Sequence, residues 1–193
     1  DSHDDNSLDN IQDIFVVGDY AYTTSLSDDR FVILNISNKT GPTPVGEYTD
    51  NDPPYSIDGT QQVYVVGDYA YVTSFTDDAF TIINITNKSG PVAVGSYNDS
   101  AVPYSFDQAY AVHVVGDYAY VTSRNDDSFN IVNITNKSGP VPVGEYNNSA
   151  PPYSMDYSEA IFVQGDYAYV TSLVDDSLTI LNITNKSGPV PVG

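Results

Sequence analysis

The chain repeats itself at a fixed spacing along its whole length. The pentapeptide GDYAY begins at residues 18, 67, 116 and 165, so successive copies lie 49 residues apart. The glycines that close the tripeptides PVG and AVG keep the same spacing, and they are Gly46, Gly95, Gly144 and Gly193. A uniform period of roughly 20 to 50 residues is typical of solenoids, propellers and linear arrays, in which each unit buries its apolar face against its neighbours.

The second unit indicates which elements each copy contains. It runs QQVYVVGD, YAYVTS, FTDD, AFTIINIT, NKSG and PVAVGSY, followed by the linker NDSAVPYSFD. Four segments rich in Val, Ile, Tyr, Phe and Thr alternate with clusters of Gly, Asp, Asn, Ser and Pro, which predicts four strands joined by tight turns. Gly67 can supply the positive φ that a two-residue turn with Asp68 needs. Ile82, Ile83 and Ile85 are apolar on both faces of one strand, as expected for a sheet covered on both sides.

Four short antiparallel strands in a unit of this length make one propeller blade. We therefore predict an all-β fold of tandem four-stranded antiparallel blades, forming a β-propeller or part of a larger one. An open linear array of the same blades is the alternative. We predict one repeat domain over residues 1–193, with units at approximately 1–46, 47–95, 96–144 and 145–193. Because Met155 is the only methionine, the sequence favours a processed product or a piece of a longer array.

The charge of the chain excludes several classes of partner. It has 26 acidic and 6 basic residues, a formal net charge of −20, and no cysteine. Binding to nucleic acid or to anionic lipid needs a basic patch, whereas all four lysines sit in one repeated turn, at Lys39, Lys88, Lys137 and Lys186. No apolar run approaches the roughly 18 residues of a membrane span, so we expect no membrane insertion. Without cysteine, disulfides and thiolate metal sites are excluded.

The repeated strands and turns resemble a known family. AFTIINITNKSGPVAVGSY resembles the LVIVD-type propeller repeat, and GDYAYVTS resembles the strand that precedes it as well as the YVTN-type repeats of microbial surface-layer proteins. The resemblance covers all four units and implies a propeller fold in a surface or secreted protein, without one agreed activity. This chain departs from the family pattern by having Asn at two positions of each repeat where Asp is usual.

These changes create overlapping Asn-x-Ser/Thr triplets, the acceptor pattern for N-linked glycans. The ten acceptors are Asn35, Asn38, Asn84, Asn87, Asn98, Asn133, Asn136, Asn147, Asn182 and Asn185. Alternatively, Asn only folds the turn, since its amide mimics a backbone turn and duplication would copy it. The second Asn of each pair lies in the turn proper and should be better exposed, whereas the first usually carries the better acceptor residue, Thr. The choice between the two stays open.

Paired aspartates mark the loop between the second and third strands of every unit. They are Asp28, Asp29, Asp77, Asp78, Asp126, Asp127, Asp175 and Asp176. Clustered carboxylates could bind calcium if loops from adjacent blades converge, although a solvated turn with local hydrogen bonds accounts for them as well. A second ring of aspartates lies in the linkers, with the same two interpretations, at Asp9, Asp58, Asp107 and Asp156. No cofactor other than calcium is indicated.

Tyrosines fall into two groups. Tyr20, Tyr22 and their equivalents share one face of a strand and are expected to pack blade against blade. The linker residues Tyr55, Tyr104 and Tyr153 could stack on sugars or on a partner chain, but packing is favoured.

Nothing in the sequence indicates an enzyme. Of the two histidines, His113 takes a strand position that Phe15, Tyr64 and Phe162 hold elsewhere, and no nucleophile elbow, phosphate loop or thiol is present. We therefore expect a non-enzymatic, extracellular or cell-surface N-glycosylated protein with a structural or adhesive role, such as a segment of a fibre or surface layer. It would self-associate or continue as a longer array. The alternative is a propeller module that binds calcium or carbohydrate.

Overall fold

The computed structural model describes residues 9–49, 55–98, 104–147 and 154–193. Within these ranges the secondary structure consists of strands joined by turns, and no helix is long and apolar enough to cross a membrane. The strands are β1 Ile11–Val17, β2 Tyr20–Ser25, β3 Arg30–Asn35, β4 Thr43–Tyr48, β5 Thr60–Val66, β6 Tyr69–Ser74, β7 Ala79–Asn84, β8 Val92–Asn98, β9 Ala109–Val115, β10 Tyr118–Ser123, β11 Ser128–Asn133, β12 Val141–Asn147, β13 Ser158–Gln164, β14 Tyr167–Ser172, β15 Ser177–Asn182 and β16 Val190–Pro191.

Each group of four consecutive strands forms one antiparallel sheet in chain order, which is one blade per repeat. The first strands of neighbouring blades pack on one another, β1 on β5, β5 on β9 and β9 on β13, so they line the axis. The fourth strands lie on the outer rim. This confirms the prediction of an all-β fold of four tandem blades.

The turns follow from single residues. In the hairpin between β5 and β6, Val66 pairs with Tyr69, leaving Gly67 and Asp68 as the two central residues. Gly67 has a φ of +59°, and Asp68 is not among the residues with positive φ, which is the pattern of a type II′ turn. The next hairpin has a four-residue loop that ends at Asp78, whose φ of +52° is one that Asp tolerates.

The hydrophobic core lies between blades. Among the described residues it has three clusters, each of which combines a Tyr, a Phe and an Ile from one blade with apolar side chains of the next. At the second joint these are Tyr71, Phe80 and Ile82, with the two rings stacked 6.1 Å apart. Ile83 and Ile85 are buried on the opposite side of the same blade, which confirms that the sheet is covered on both faces.

A glycine lets adjacent blades approach closely at each joint. In β8, Val94 is an extra residue between the pairs Ile82 with Gly95 and Ile83 with Ala93, so the strand bulges there. A Cβ on Gly95 would lie 2.1 Å from the carbonyl oxygen of Lys137 in the following blade. Only glycine fits this contact.

The two ends of the blades differ in charge. At one end, which we name the lysine face, the Gly-Asp turns meet the loops after the third strands, as where the Ile85 N–H donates to the Asp68 carbonyl at 2.8 Å. This face carries all four lysines. At the other end, the aspartate face, the Asp-pair loops meet the linkers, as where the Phe75 N–H donates to the Gly59 carbonyl at 2.8 Å. Of the residues that the structure describes, each unit contributes three aspartates here, namely its Asp pair and one linker aspartate.

His113 is buried on the innermost strand of the third blade, where its ring lies 4.7 Å from that of Tyr64 and 5.1 Å from that of Phe162. The structure confirms that it fills an aromatic position. Burial lowers the pKa of His113 from its ordinary value of 6.5.

A His113→Phe substitution should remove a pH-dependent loss of stability. The unfolded chain binds a proton at His113 more readily than the folded chain, so this residue costs nothing above pH 6.5 and destabilises the fold as the pH falls below it. We expect the gain from His113→Phe, in free energy of unfolding, to grow between pH 7.5 and pH 5. Urea unfolding at several pH values measures it, and a constant difference would contradict the expectation.

Candidate functional site

A polar groove opens at the axis, at the end of the first strands nearest the aspartate face. It has a volume of about 100 Å³ and takes side chains from all four blades. The lining residues are Gln12, Asp13, Gln61, Gln62, Tyr110, Ala111 and Glu159. These positions vary between units, whereas the surrounding strands repeat.

Polar side chains of the groove also join the blades to one another. The N–H of Val63 donates to Asp13 Oδ2 at 3.0 Å, and the N–H of Val112 donates to Gln62 Oε1 at 2.5 Å. Because the acceptor belongs to the blade that precedes the donor's blade, each hydrogen bond fixes the position of one inner strand relative to the next. The groove is therefore held in shape by its own lining.

Arg124 lies beside the groove and places a positive charge at a position that is apolar in the other three units. Its guanidinium lies 3.5 Å from the ring centre of Tyr110 and 4.8 Å from that of Tyr157, and it forms an ion pair with Glu159. Leu26, Phe75 and Leu173 take its place in the other units. The sequence analysis did not identify this cluster, although the divergence of Tyr110, Tyr157 and Glu159 from the repeat was a signal available in the sequence.

The two aspartates of each pair have different roles. The first aspartate of a pair accepts a hydrogen bond from its own blade, as where the Asp58 N–H donates to Asp77 Oδ2 at 2.5 Å. The second aspartate accepts a hydrogen bond from the next blade, as where the Gly59 N–H donates to Asp29 Oδ1 at 2.6 Å. The pairs thus hold loops and linkers together.

The linker aspartates lie close to these pairs. Burial raises the pKa of the Asp58 carboxyl, and the charges of Asp77 and Asp29 raise it further. Burial likewise raises the pKa of Asp127, against the lowering effect of the Tyr157 N–H. Among the described residues no group of three or more His, Asp or Glu side chains is arranged to hold a metal ion. Calcium binding by these loops stays a prediction.

The Asn triplets close the loops of the lysine face. The second Asn of each pair is exposed in all four units, and the first is half-buried at the end of the third strand. Asn87 Oδ1 accepts hydrogen bonds from the N–H of Ser89 at 3.3 Å and from its hydroxyl at 2.9 Å. The same hydroxyl contact recurs at Asn38, Asn136 and Asn185.

The first Asn of each pair accepts mainly from the backbone. Asn84, Asn133 and Asn182 each take the N–H of the Thr two residues later, at 2.9 to 3.0 Å. Asn35 accepts from both the N–H and the hydroxyl of Ser37. Each loop therefore contains two successive Asn turns, of which the second faces solvent.

Two further acceptors lie at the opposite end of the blades. Asn98 and Asn147 are exposed at the ends of the fourth strands of the second and third blades. The Ser residues of their triplets, Ser100 and Ser149, lie outside the described residues.

The linker tyrosines that the structure describes are half-buried. The hydroxyl of Tyr48 donates to the carbonyl of Tyr55 at 3.0 Å, and that of Tyr97 donates to the carbonyl of Tyr104 at 3.2 Å. Tyr153 lies outside the described residues. The strand tyrosines Tyr22, Tyr71 and Tyr120 are buried between blades.

Fold and site together define a propeller-type repeat protein whose units diverge at an axial groove. The model of the LVIVD repeat matches residues 10–50, 59–99, 108–148 and 157–193. The chain belongs to the LVIVD repeat family. A search of curated protein sequences found no match.

Several solved structures share this fold at low sequence identity. The periplasmic gluconolactonase PpgL of Pseudomonas aeruginosa superposes with a TM-score of 0.71 at 14% identity, over 95% of this chain and 54% of that one. A Bacteroides fragilis protein with a provisional 6-phosphogluconolactonase description gives 0.73 at 13%, over 94% and 53%. The computationally designed Ika4 protein gives 0.65 at 5%, over 92% and 93%. The chain thus spans about half the length of the two natural proteins.

One sequence-based expectation is corrected by these comparisons. We expected no enzymatic activity, because the familiar catalytic motifs are absent and His113 takes an aromatic position of the repeat. That exclusion is wrong, since a gluconolactonase shares the fold at 14% identity. The physical reason is that the axial groove draws its side chains from every blade, so a few substitutions at separate positions can create a site without a contiguous motif.

Proposed function

We propose that the chain is an extracellular or cell-surface glycoprotein with a structural or adhesive role, whose glycans cover the lysine face. The proposal is carried by the exposed second Asn in every loop of that face, at Asn38, Asn87, Asn136 and Asn185. An acceptor amide must enter the active site of a transferase, which an exposed turn permits and a half-buried strand end hinders. These four residues are therefore the expected sites of modification.

The placement of the acceptors gives the molecule two different surfaces. Eight of the ten lie on the lysine face, one pair in each blade. Glycans there would be spaced one blade apart and would leave the groove and most of the aspartate face uncovered. Such a division suits a building unit that is coated on one side and makes contacts with the other.

Mass spectrometry of protein from its natural source tests the proposal. Treatment with a peptide:N-glycosidase should reduce the intact mass and convert the modified Asn residues to Asp. We expect that conversion at Asn87 in preference to Asn84, since the two share one loop and differ in exposure. An untreated mass equal to that of the bare polypeptide would contradict glycosylation.

A second candidate function is binding or hydrolysis of a hydroxyl-rich small molecule in the axial groove. It is favoured by the cluster of Arg124, Tyr110, Tyr157 and Glu159, which is the departure from the repeat that a binding site requires. Glutamine amides and carboxylates in the groove offer both donors and acceptors to hydroxyl groups. A sugar acid or its lactone has this chemistry, and it is the class on which the fold's gluconolactonases act.

Calorimetric titration with gluconate and glucono-lactone, together with an assay for acid release, tests the second candidate. Arg124→Gln should weaken binding roughly tenfold or more, about 1.4 kcal/mol, because it removes the guanidinium beside the groove. Arg30→Gln is the matched control. Arg30 forms an ion pair with Glu47, with the nitrogen and oxygen 3.4 Å apart, and neither residue lines the groove. No heat and no acid release with either compound would contradict this function.

A further inference from the structure

The two ends of the blade array expose the same side chains that every internal joint buries. On the outward side of the first blade, Ile14 is 58% exposed, whereas Val63 at the same repeat position is 1% exposed. On the outward side of the last blade, Leu178 is 56% exposed, whereas Phe129 is fully buried. We name these surfaces the first-blade face and the last-blade face.

The hydrogen bonds of each internal joint have their donor on one blade and their acceptor on the other, and each end face of the array carries one of the two partners. Every internal joint has a backbone N–H of the later blade donating to the second Asp of the earlier one. The pairs are Gly59 to Asp29 at 2.6 Å, Gln108 to Asp78 at 2.8 Å and Tyr157 to Asp127 at 2.9 Å. At the repeat position of these donors the first-blade face has Asn10, and at the repeat position of the acceptors the last-blade face has Asp176. Asn10 already has the positive φ, +57°, of the donors that act inside the array.

Lysine and tyrosine are divided in the same way. Lys88 Nζ lies 5.9 Å from the ring centres of both Tyr20 and Tyr22 in the preceding blade. Lys137 and Lys186 repeat this contact at 5.7 to 6.0 Å. In the described part of the chain Lys39 has no such ring beside it, and Tyr167 and Tyr169 have no lysine above them. Lys39 lies on the first-blade face, whereas Tyr167 and Tyr169 lie on the last-blade face.

An aromatic row along the axis also ends at the two faces. Phe15, Tyr64, His113 and Phe162 follow one another across the inner strands, with ring centres 4.7 to 5.1 Å apart. Phe15 ends the row at the first-blade face and Phe162 at the last-blade face. Each face therefore carries one half of a joint that the molecule makes three times.

We propose that two copies of this chain bind head to tail, the last-blade face of each on the first-blade face of the other, and close one ring of eight blades. A two-fold axis then makes two new joints of the internal kind and leaves no open sheet face. Half a ring per chain agrees with the superposition of these four blades on about half of propeller chains nearly twice as long.

Glycans on the lysine face do not obstruct this closure. Asn87, Asn136 and Asn185 stay exposed beside the three joints already present, so Asn38 would stay exposed beside a new one. Unmodified recombinant chain can therefore be used, and its result does not depend on whether the protein is glycosylated.

Sedimentation equilibrium of the chain measures the assembly directly. It is best run in about 0.5 M NaCl, where repulsion between two chains of net charge −20 is screened. We expect a species of twice the 20.9 kDa chain mass that does not grow further with concentration. A monomer throughout, or a mass that rises without limit, would overturn the closed ring; the second result would indicate an open array.

Substitutions on the two faces test the pairing. Leu178→Glu and Ile14→Glu should each give monomers, because each damages both joints of the ring. Val92→Glu, at an equally exposed strand residue outside both faces, should leave the dimer intact. Mixing the Leu178→Glu and Ile14→Glu chains should restore a dimer through the one joint whose two faces are unaltered. Failure of the mixture to associate would count against head-to-tail pairing.

Gly193→Ala provides a variant that leaves the free chain undisturbed. A Cβ there meets only Ile180 at 3.6 to 4.0 Å, whereas at Gly144, the same repeat position, it would strike the Lys186 carbonyl oxygen. Gly193→Ala should fold like the parent chain, with the same far-ultraviolet circular dichroism, and be monomeric. A Gly193→Ala chain that dimerises as tightly as the parent would show that Gly193 meets no Lys39 carbonyl, and the proposed joint would be wrong.

Discussion

Phe129→Ala should lower the free energy of unfolding by about 3–5 kcal/mol. Phe129 is fully buried between the third and fourth blades, where its ring stacks 6.0 Å from that of Tyr120 and contacts the core of the next blade. Truncation leaves a cavity with both blades facing it, and neither sheet can move to fill it without breaking its strand pairing. Urea unfolding followed by circular dichroism measures the change.

Val92→Ala is the control for this substitution. Val92 is 59% exposed on the fourth strand of the second blade and belongs to no joint, so its truncation should cost less than about 1 kcal/mol. If the two substitutions had similar effects, the core would not lie between the blades.

Gly95→Ala should destabilise the fold by roughly 2–3 kcal/mol although it adds only one methyl group. The new Cβ would lie 2.1 Å from the Lys137 carbonyl oxygen, a backbone atom that cannot rotate away. The second and third blades must separate, which loosens the apolar contacts beneath and the Lys137 contact with Tyr69 and Tyr71. The same unfolding measurement applies.

Gly41→Ala is the matched control for the glycine contact. Its Cβ would meet only the side-chain amide nitrogen of Asn38, at the ordinary contact distance of 3.4 Å. We expect a change within about 0.5 kcal/mol. A large effect at Gly41 and a small one at Gly95 would mean that the close approach of the blades is not as described.

Both predictions place the stability of this protein in the joints. Three clusters join the four blades, and each draws on two of them, so a single blade has no core of its own. The same dependence on neighbours explains why the outermost blades carry exposed apolar side chains such as Val16 and Phe162. Those residues have the positions of core residues without the blade that would cover them.

Much of the fold could be predicted because it depends on local signals that recur four times. The four-strand unit, the Gly-Asp turn and the two-sided burial of Ile82 and Ile83 all follow from periodicity and residue type. The axial groove could not be predicted in this way. Tyr157 and Glu159 lie far from Arg124 in sequence and approach it only after the third and fourth blades pack against each other.

The sequence is sufficient to define the blade, its four strands, its turns and the spacing of successive blades, because these depend on φ preferences and on apolar patterning within 49 residues. The tertiary structure was needed to show that the second Asp of each pair joins blades and that the four units expose two complementary faces. These properties depend on the rotation of one blade relative to the next. That rotation is set by side chains meeting across the joint, such as Gly95 with Lys137, which no single repeat contains.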